Sequence, residues 1–205
     1  MGVAVSRAAG KPFMDLVRES ILQPLGMTSS FFVIPDELKS RVTTGYSNTR
    51  NGIDEEASAR EHSGRGYEVP NGGLYSTVGD LGRFIAGMTG ASTTAILSAA
   101  RRAEMMRVHT PGDSLAGYGL GFAVSTRPGG KHFVGHGGSV AGYTAHLVFE
   151  PESRIGVVLL RNYDSGATSL GATAQAVLQA LVAAHSAASS PSTPRREAPA
   201  AASSW

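Results

Sequence analysis

A glycine-rich segment in the second half of the chain carries the residues best suited to chemistry. It runs from Val134 to Tyr143 and holds four glycines, one histidine and one serine within ten residues. A histidine can move a proton near neutral pH, and a serine hydroxyl can attack a carbonyl when a base activates it. Glycines weaken a strand unless something must approach its backbone closely. Taken alone, however, the segment is explained more simply by a glycine-rich turn whose histidine is hydrogen-bonded.

Three familiar kinds of site do not fit this segment. A hydrolase nucleophile elbow requires Gly-x-Ser-x-Gly between a strand and a helix, but Gly137–Ala141 lacks the final glycine and precedes a strand-like run. His132 and His136 are four residues apart, which in an extended stretch is about 13 Å, too far for one metal ion. The chain contains three lysines, and none has the glycine spacing of a phosphate loop. No metal site is predicted.

Composition narrows the remaining functions. The 205 residues carry 18 basic and 16 acidic side chains without a basic stripe, which argues against nucleic-acid binding. No apolar run approaches the roughly 18 residues that a membrane helix needs, so no membrane span is predicted. The absence of cysteine excludes disulfides, thiolate catalysis and cysteine-bound zinc. The first residues lack the pattern of a signal peptide, and localisation stays open.

Helical patterns dominate the first half of the chain. Apolar residues at helical spacing predict a helix from about Pro12 to Leu22. The periodicity then fails between Thr28 and Pro70, which predicts a long irregular excursion. Thr77 with an acid three residues later resembles a capping box, so a second helix is expected there, and a third over Thr94–Arg107. These segments are predicted to form part of a helical subdomain over residues 1–110.

The second half is rich in β-structure signals. Strands are predicted at Tyr118–Ser125, Lys131–Gly135, Gly142–Phe149 and Ile155–Arg161. Because short turns join them, they are expected to form an antiparallel meander. An apolar stripe from about Thr168 to Ala184 predicts a helix that covers this sheet. The sequence therefore predicts an α+β fold, with sheet and helix over 111–185 and a disordered tail over 186–205.

Five motifs in a fixed order carry a family resemblance. They are Pro24-Leu25-Gly26-Met27, Gly72-Gly73-Leu74-Tyr75-Ser76-Thr77 followed by Asp80, Leu81 and Phe84, Tyr118-Gly119-Leu120-Gly121-Phe122, Gly135-His136-Gly137-Gly138 with Gly142-Tyr143, and Asn162 after an aliphatic strand. Together they resemble the serine β-lactamase-like family, which includes class C β-lactamases, D-Ala-D-Ala peptidases, D-aminopeptidases and related esterases. The resemblance runs from about Gly2 to Val182.

The resemblance implies a fold and a mechanism. Family members combine an α/β domain with a helical domain, and their active site lies in the cleft between the two. A serine in Ser-x-x-Lys attacks a carbonyl to form an acyl-enzyme, while the lysine and the tyrosine of Tyr-x-Asn move protons. No metal or organic cofactor takes part. The implied substrates are small esters, β-lactams or D-amino-acid peptides.

The family's third motif, Lys-Thr-Gly or His-x-Gly on a strand beside the cleft, matches His136-Gly137-Gly138. By resemblance, His136 supplies a polar group beside the substrate. Gly137 and Gly138 let the substrate lie against the strand, and the N–H of Ser139 is one of two oxyanion donors. Such a donor contributes about 3 kcal/mol of transition-state stabilisation. These four residues are the predicted site residues.

The other two family motifs are missing from the sequence. No lysine has a serine three positions before it, and the nearest form, Ser98-Ala99-Ala100-Arg101, offers an arginine that accepts protons poorly. Tyr46-Ser47-Asn48 spells Tyr-x-Asn, but it follows Pro-Leu-Gly-Met instead of preceding it, so we interpret it as a coincidental match. The chain therefore resembles the C-terminal part of the family's proteins, and its predicted fold is a truncated β-lactamase/transpeptidase-like fold.

Three hypotheses for function follow. In the first, the parent protein is a serine hydrolase and this polypeptide alone is inactive, because it has no nucleophile. In the second, the chain is a non-catalytic binding or complementing fragment, whose incomplete sheet leaves an exposed edge for self-association. In the third, a truncated gene or a misassigned start codon explains the missing motifs.

Overall fold

The computed structural model describes residues 1–62, 66, 69–111 and 116–189. Its centre is a six-stranded antiparallel sheet whose strand order follows the chain. The strands are β3 (Thr110–Pro111), β4 (Ala116–Tyr118), β5 (Ala123–Thr126), β6 (His132–Val140), β7 (Tyr143–Glu150) and β8 (Ile155–Arg161). The predicted antiparallel meander is therefore confirmed. A separate hairpin pairs β1 (Ser47–Thr49) with β2 (Gly52–Asp54).

The helices of the described residues include one that packs on each face of this sheet. They are α1 (Gly2–Ala9), α2 (Phe13–Val17, continued by a π-helical turn over Arg18–Leu22), α3 (Ala57–His62), α4 (Val78–Thr89), α5 (Ala99–Met106) and α6 (Leu170–Ser189). Short 3-10 turns occupy Asp36–Arg41 and Pro128–Gly130. Among the described residues, no helix is long and apolar enough to cross a membrane.

The helix predicted over Pro12–Leu22 is confirmed as α2 and its π-helical turn, but α1 is an addition that the pattern did not predict. Val3 and Val5 are two residues apart and exposed, so α1 has no apolar stripe at helical spacing. Its buried residue is Gly2, which lies so close to Pro70 that a side chain at this position would clash with the proline ring. The helix ends at Gly10, whose φ of 62° is left-handed.

α4 and α5 are each capped by the residue that directly precedes the helix in the sequence. Thr77 Oγ1 accepts a hydrogen bond from the Asp80 N–H at 3.2 Å, which confirms the predicted start of the second helix. The third helix begins later than predicted, because Ser98 caps it and accepts from the Arg101 N–H at 3.3 Å. The Ser98-x-x-Arg101 sequence is therefore a helix cap.

The segment Tyr118–Ser125, predicted as one strand, forms two strands joined by a tight turn. A Cβ on Gly119 would lie 2.2 Å from the carbonyl oxygen of Met105, and Gly121 adopts a φ of 83°. Both positions therefore require glycine, and the chain reverses between them. At the other end of the sheet, α6 extends to Ser189, beyond the predicted limit of the helix. The rest of the predicted disordered tail lies outside the described residues.

Two apolar clusters hold the sheet between helices. On one face α4 contributes Ile85 and Met88, which pack against Phe122, Val124, Val134 and Phe149. On the other face α6 contributes Ala174, Leu178 and Val182, which pack against Phe133, Val148 and Val157. Successive residues of β6 alternate between these clusters, so the predicted site residues also alternate between the α4 face and the α6 face.

Candidate functional site

The four predicted site residues lie in the second half of β6, where this strand loses one of its neighbours. β5 pairs with β6 only as far as Gly135, whereas β7 pairs with it up to Val140. Within the part of the chain that the structure describes, His136–Val140 therefore has a strand partner on one side only. An edge of this kind offers backbone donors and acceptors to an extended ligand.

His136 stands on the α4 face of this edge and is exposed. Its ring meets the ring of Tyr118, the last residue of β4, edge to face, with centroids 6.0 Å apart. Tyr118 is itself exposed, so the two rings form one accessible polar and aromatic corner. The structure thus places an imidazole ring beside the unpaired backbone, and its contact with a substrate stays a prediction.

The two glycines after His136 differ in their surroundings. Gly137 faces α6, and a Cβ built there would lie 2.5 Å from Nδ1 of His146. Gly138 faces the opposite side, and a Cβ built there would meet no atom within 4 Å. Packing against His146 therefore accounts for Gly137, whereas the space above Gly138 is open to a ligand.

Ser139 is exposed, and its hydroxyl is held within the β6–β7 hairpin. Its Oγ donates to the carbonyl of Tyr143 at 3.2 Å and lies 3.4 Å from Thr144 Oγ1. Lys131, which immediately precedes β6, is eight residues away, about 26 Å along an extended chain. Its Nζ lies 3.8 Å from Glu150 Oε2 and 3.6 Å from Glu152 Oε2. The Ser139 hydroxyl is therefore not arranged as an activated nucleophile, and its backbone N–H is the group of interest.

His146 is a neighbour that sequence reasoning missed. It pairs with Gly137 across β7 and lies against Gly171 of α6. Burial lowers the pKa of His146, and a charge on His136 lowers it further. With Gly135, Gly137 and Gln175 it lines a cavity of about 330 Å³ that Tyr118 and His136 also border. His146 therefore packs against β6 at Gly137. Among the described positions, no group of three or more residues could hold a metal ion.

The turn after the site is fixed by residues from distant parts of the chain. The Ala141 N–H donates to Glu61 Oε2 at 2.7 Å, and the Tyr143 hydroxyl donates to the Thr43 carbonyl at 2.6 Å. The ring of His62 lies 5.2 Å from that of Tyr75 and 6.4 Å from that of Tyr143. These contacts build an aromatic wall at the end of β6, which no local pattern indicated.

The Tyr46-Ser47-Asn48 segment also reaches this turn. The Tyr46 N–H donates to the carbonyls of Gly142 and Asn162, at 3.2 and 3.1 Å. Asp164 ties the segment down, since its carboxylate accepts from the Asn48 N–H and the Gly142 N–H, both at 3.2 Å. The segment is therefore a structural neighbour of the candidate site, held there mainly through its backbone.

Asp164 makes the stability of the contact between the Tyr46–Asn48 segment and the turn after β6 depend on pH. Burial raises its pKa, but hydrogen bonds from the Ser165 hydroxyl and from the two backbone N–H groups outweigh burial and lower it from 3.8 to about 2. Because the folded pKa is below the unfolded one, the ionised carboxylate stabilises the fold above about pH 4, and this contribution is lost as the pH falls towards 2.

We therefore expect Asp164→Asn to flatten the acid side of the stability curve. Between pH 5 and pH 2 the urea midpoint should fall less in Asp164→Asn than in the unmodified chain, and the Asn48 and Gly142 amides should exchange faster. Glu55→Gln, which removes an exposed carboxylate, is the matched control. Parallel acid curves for the unmodified chain and Asp164→Asn would contradict the assignment.

Comparison with known proteins identifies the family. A family model described as Beta-lactamase matches residues 1–182. The chain belongs to the beta-lactamase family. This confirms the resemblance inferred from the motifs and the predicted α+β fold.

Three solved structures illustrate the relationship. The octameric penicillin-binding protein homologue from Pyrococcus abyssi is 26% identical, with a TM-score of 0.74 over 89% of this chain and 40% of its own. The D-amino acid amidase from Ochrobactrum anthropi SV3 is 23% identical, with a TM-score of 0.67 over 92% and 55%. The Beta-Lactamase/D-Alanine Carboxypeptidase from Pseudomonas syringae is 18% identical, with a TM-score of 0.68 over 93% and 57%. The beta-lactamase-family chain described here thus spans only about half the length of these structures.

Proposed function

We propose that the chain provides the substrate-binding strand of a serine hydrolase that acts on an ester, a β-lactam or a D-amino-acid peptide through an acyl-enzyme. The observation that carries this proposal is the unpaired half of β6, His136–Val140, with an exposed histidine and open space above Gly138. The similarity to a penicillin-binding protein homologue, a D-amino acid amidase and a Beta-Lactamase/D-Alanine Carboxypeptidase supports the substrate class.

Each residue has a role in this proposal. An extended substrate lies along the free side of His136–Val140, where Gly138 leaves room for it. The Ser139 N–H donates to the carbonyl oxygen as negative charge develops there. His136 donates a hydrogen bond to a polar or anionic substrate group, and Tyr118 holds the imidazole ring edge-on. The aromatic wall of His62, Tyr75 and Tyr143 bounds the substrate at the end of the strand.

We further propose that this polypeptide does not turn over substrate alone. It has no Ser-x-x-Lys sequence, and its nearest form places Ser98 at a helix cap. Without a nucleophile and its base, covalent catalysis is lost. The purified chain should therefore hydrolyse neither a p-nitrophenyl ester nor a chromogenic cephalosporin, and mass spectrometry should find no adduct with a penicillin. Turnover abolished by an acylating inhibitor would refute this part of the proposal.

The binding role of β6 is tested in an active chimaera. The chimaera fuses the N-terminal part of the Pyrococcus abyssi homologue, which this chain does not match, to the N-terminus of this chain. By resemblance, that N-terminal part holds the nucleophile. His136→Ala should then lower kcat/KM by about 10- to 100-fold, the value of a hydrogen bond to a charged group. His132→Ala, an exposed histidine at the far end of the same strand, is the control. Equal effects of the two substitutions would contradict the proposed role.

The chimaera also separates the second hypothesis from the first. A non-catalytic binding fragment is inactive alone, just as a catalytic strand without its nucleophile is. It would, however, gain no turnover that depends on His136 once a nucleophile is supplied.

A further inference from the structure

The imidazole ring of His146 lies between two backbone segments that carry no side chain where the ring meets them. On β6, a Cβ added to Gly137 would lie 2.5 Å from Nδ1 of His146. On α6, a Cβ added to Gly171, in the first turn of the helix, would lie 3.1 Å from its Cε1. Two glycines from different elements thus leave the space that this ring fills. The ring therefore sets the distance between the start of α6 and the unpaired half of β6.

Packing, and not polar bonding, holds the ring of His146 in this position. Among the residues that the structure describes, the ring makes no hydrogen bond and no ion pair. The titratable and charged groups that face it there are a phenol, a second imidazole and two guanidinium groups, those of Tyr118, His136, Arg127 and Arg161. Since none of them is a carboxylate, a positive charge on His146 would have no acidic partner among these groups.

Protonation therefore weakens the hold on the ring. Burial lowers the pKa of His146 from its usual value of 6.5, and a charge on His136 lowers it further, so the ring between the two glycines is neutral at pH 7. A ring that has moved into water binds its proton more readily. Because the packed ring has the lower pKa, its position is favoured above about pH 6.5 and becomes less favoured as the pH falls.

A cavity beside the ring offers the charged imidazole a second position. It has a volume of about 330 Å³, and the polar side chains of Ser125 and Gln175 line it together with His146. A water molecule takes up about 30 Å³ in the liquid, so the cavity has room for the ring and several waters. Rotation of the His146 side chain into this cavity would remove the ring from Gly137 and Gly171.

We propose that His146 is a positioning residue of the candidate site and occupies two places according to its protonation. The neutral ring stays between Gly137 and Gly171 and holds the unpaired half of β6, so that the Ser139 N–H can reach a substrate carbonyl. The protonated ring leaves for the cavity, and the strand loses this support. The effect on turnover rests on the proposed function of β6, whereas the movement of the ring does not.

Nuclear magnetic resonance on the purified chain tests the movement of the ring. At neutral pH, nuclear Overhauser effects should connect the ring protons of His146 to the Hα protons of Gly137 and Gly171. These contacts should be lost as the ring's own chemical shifts report its protonation. In His146→Phe, whose ring takes up no proton, the contacts should be the same across the titration. His146→Leu replaces this variant if circular dichroism shows that the larger ring prevents folding. Contacts that persist with the protonated ring would overturn the proposal.

The active chimaera tests the consequence for turnover. Below about pH 6.5, kcat/KM of the unmodified chimaera should fall more steeply than that of His146→Phe, by up to about tenfold per pH unit, the limit for one additional proton. His132→Phe, at an exposed position at the start of β6, is the matched control and should keep the unmodified profile. Identical acid limbs for the unmodified chimaera and His146→Phe would overturn the positioning role.

The two measurements separate this proposal from the proposed function. If His136→Ala left the chimaera unchanged, the substrate-binding role of β6 would be wrong, and the ring contacts of the purified chain would still decide where His146 lies. If His136→Ala lowered kcat/KM while the ring contacts persisted at acid pH, the role of β6 would stand and the movement of His146 would be wrong.

Discussion

Replacing Gly135 with alanine is expected to lower the free energy of unfolding by about 3 kcal/mol, the upper range for overpacking a core. A Cβ at this position would lie 2.3 Å from the carbonyl oxygen of Leu147 and 2.9 Å from the Cα of Val148. Both atoms belong to the backbone of β7, which is paired on both sides and packed against α6. β7 cannot move away from the added methyl group without breaking its hydrogen bonds to β6 or β8. The steric strain therefore remains and lowers the stability of the folded chain.

Gly138→Ala on the same strand is the matched control. Its Cβ would meet nothing within 4 Å, so the free energy of unfolding should change by less than about 0.5 kcal/mol. Urea unfolding followed by circular dichroism measures both variants. Equal losses would show that the β6 glycines share a general backbone role, and the distinction between a packing glycine and an open one would be wrong.

Asp80→Ala is expected to cost a comparable amount, about 3 kcal/mol, because it removes a buried carboxylate that accepts three hydrogen bonds, two of them from the Ser29–Ser30 loop. Asp80 is 2% exposed. Its carboxylate accepts from the Ser29 N–H at 2.7 Å, the Ser30 hydroxyl at 2.8 Å and Arg83 Nη1 at 3.0 Å. It lies in the first turn of α4, where the helix dipole also favours a negative charge. The residue thus fastens the Ser29–Ser30 loop to the helix.

Arg83→Ala is the control for this second prediction. The Arg83 side chain is 54% exposed, so its ion pair with Asp80 is screened by water and should contribute less than about 1 kcal/mol. Thermal or urea unfolding compares the two variants. If Arg83→Ala destabilised the chain as much as Asp80→Ala, the ion pair would carry the effect and the buried hydrogen bonds to the loop would not.

Gly135 and Asp80 both belong to motifs that carry the family resemblance, and both act within the fold, Gly135 through packing and Asp80 through hydrogen bonding. His136 and Gly138 differ from them, because their side-chain positions face open space. The family motifs therefore combine residues that hold the fold with residues that the fold leaves available. Only the second group is suited to contact a ligand.

The sequence by itself determined the features that depend on neighbouring residues. Alternation and short turns predicted the meander, and Thr77 with Asp80 predicted the start of α4. The order of the motifs predicted the family. The turns of the meander and the cap of α4 are local, since each is specified within a few residues.

The tertiary structure decided everything that depends on contacts between distant segments. The free half of β6 exists because β5 ends its pairing at Gly135, and Gly137 differs from Gly138 because His146 lies beneath it. The Tyr46 segment meets the turn at Gly142 through hydrogen bonds across roughly a hundred residues of chain. No local pattern encodes such contacts, because they arise only when the sheet and its covering helices have formed around a common core.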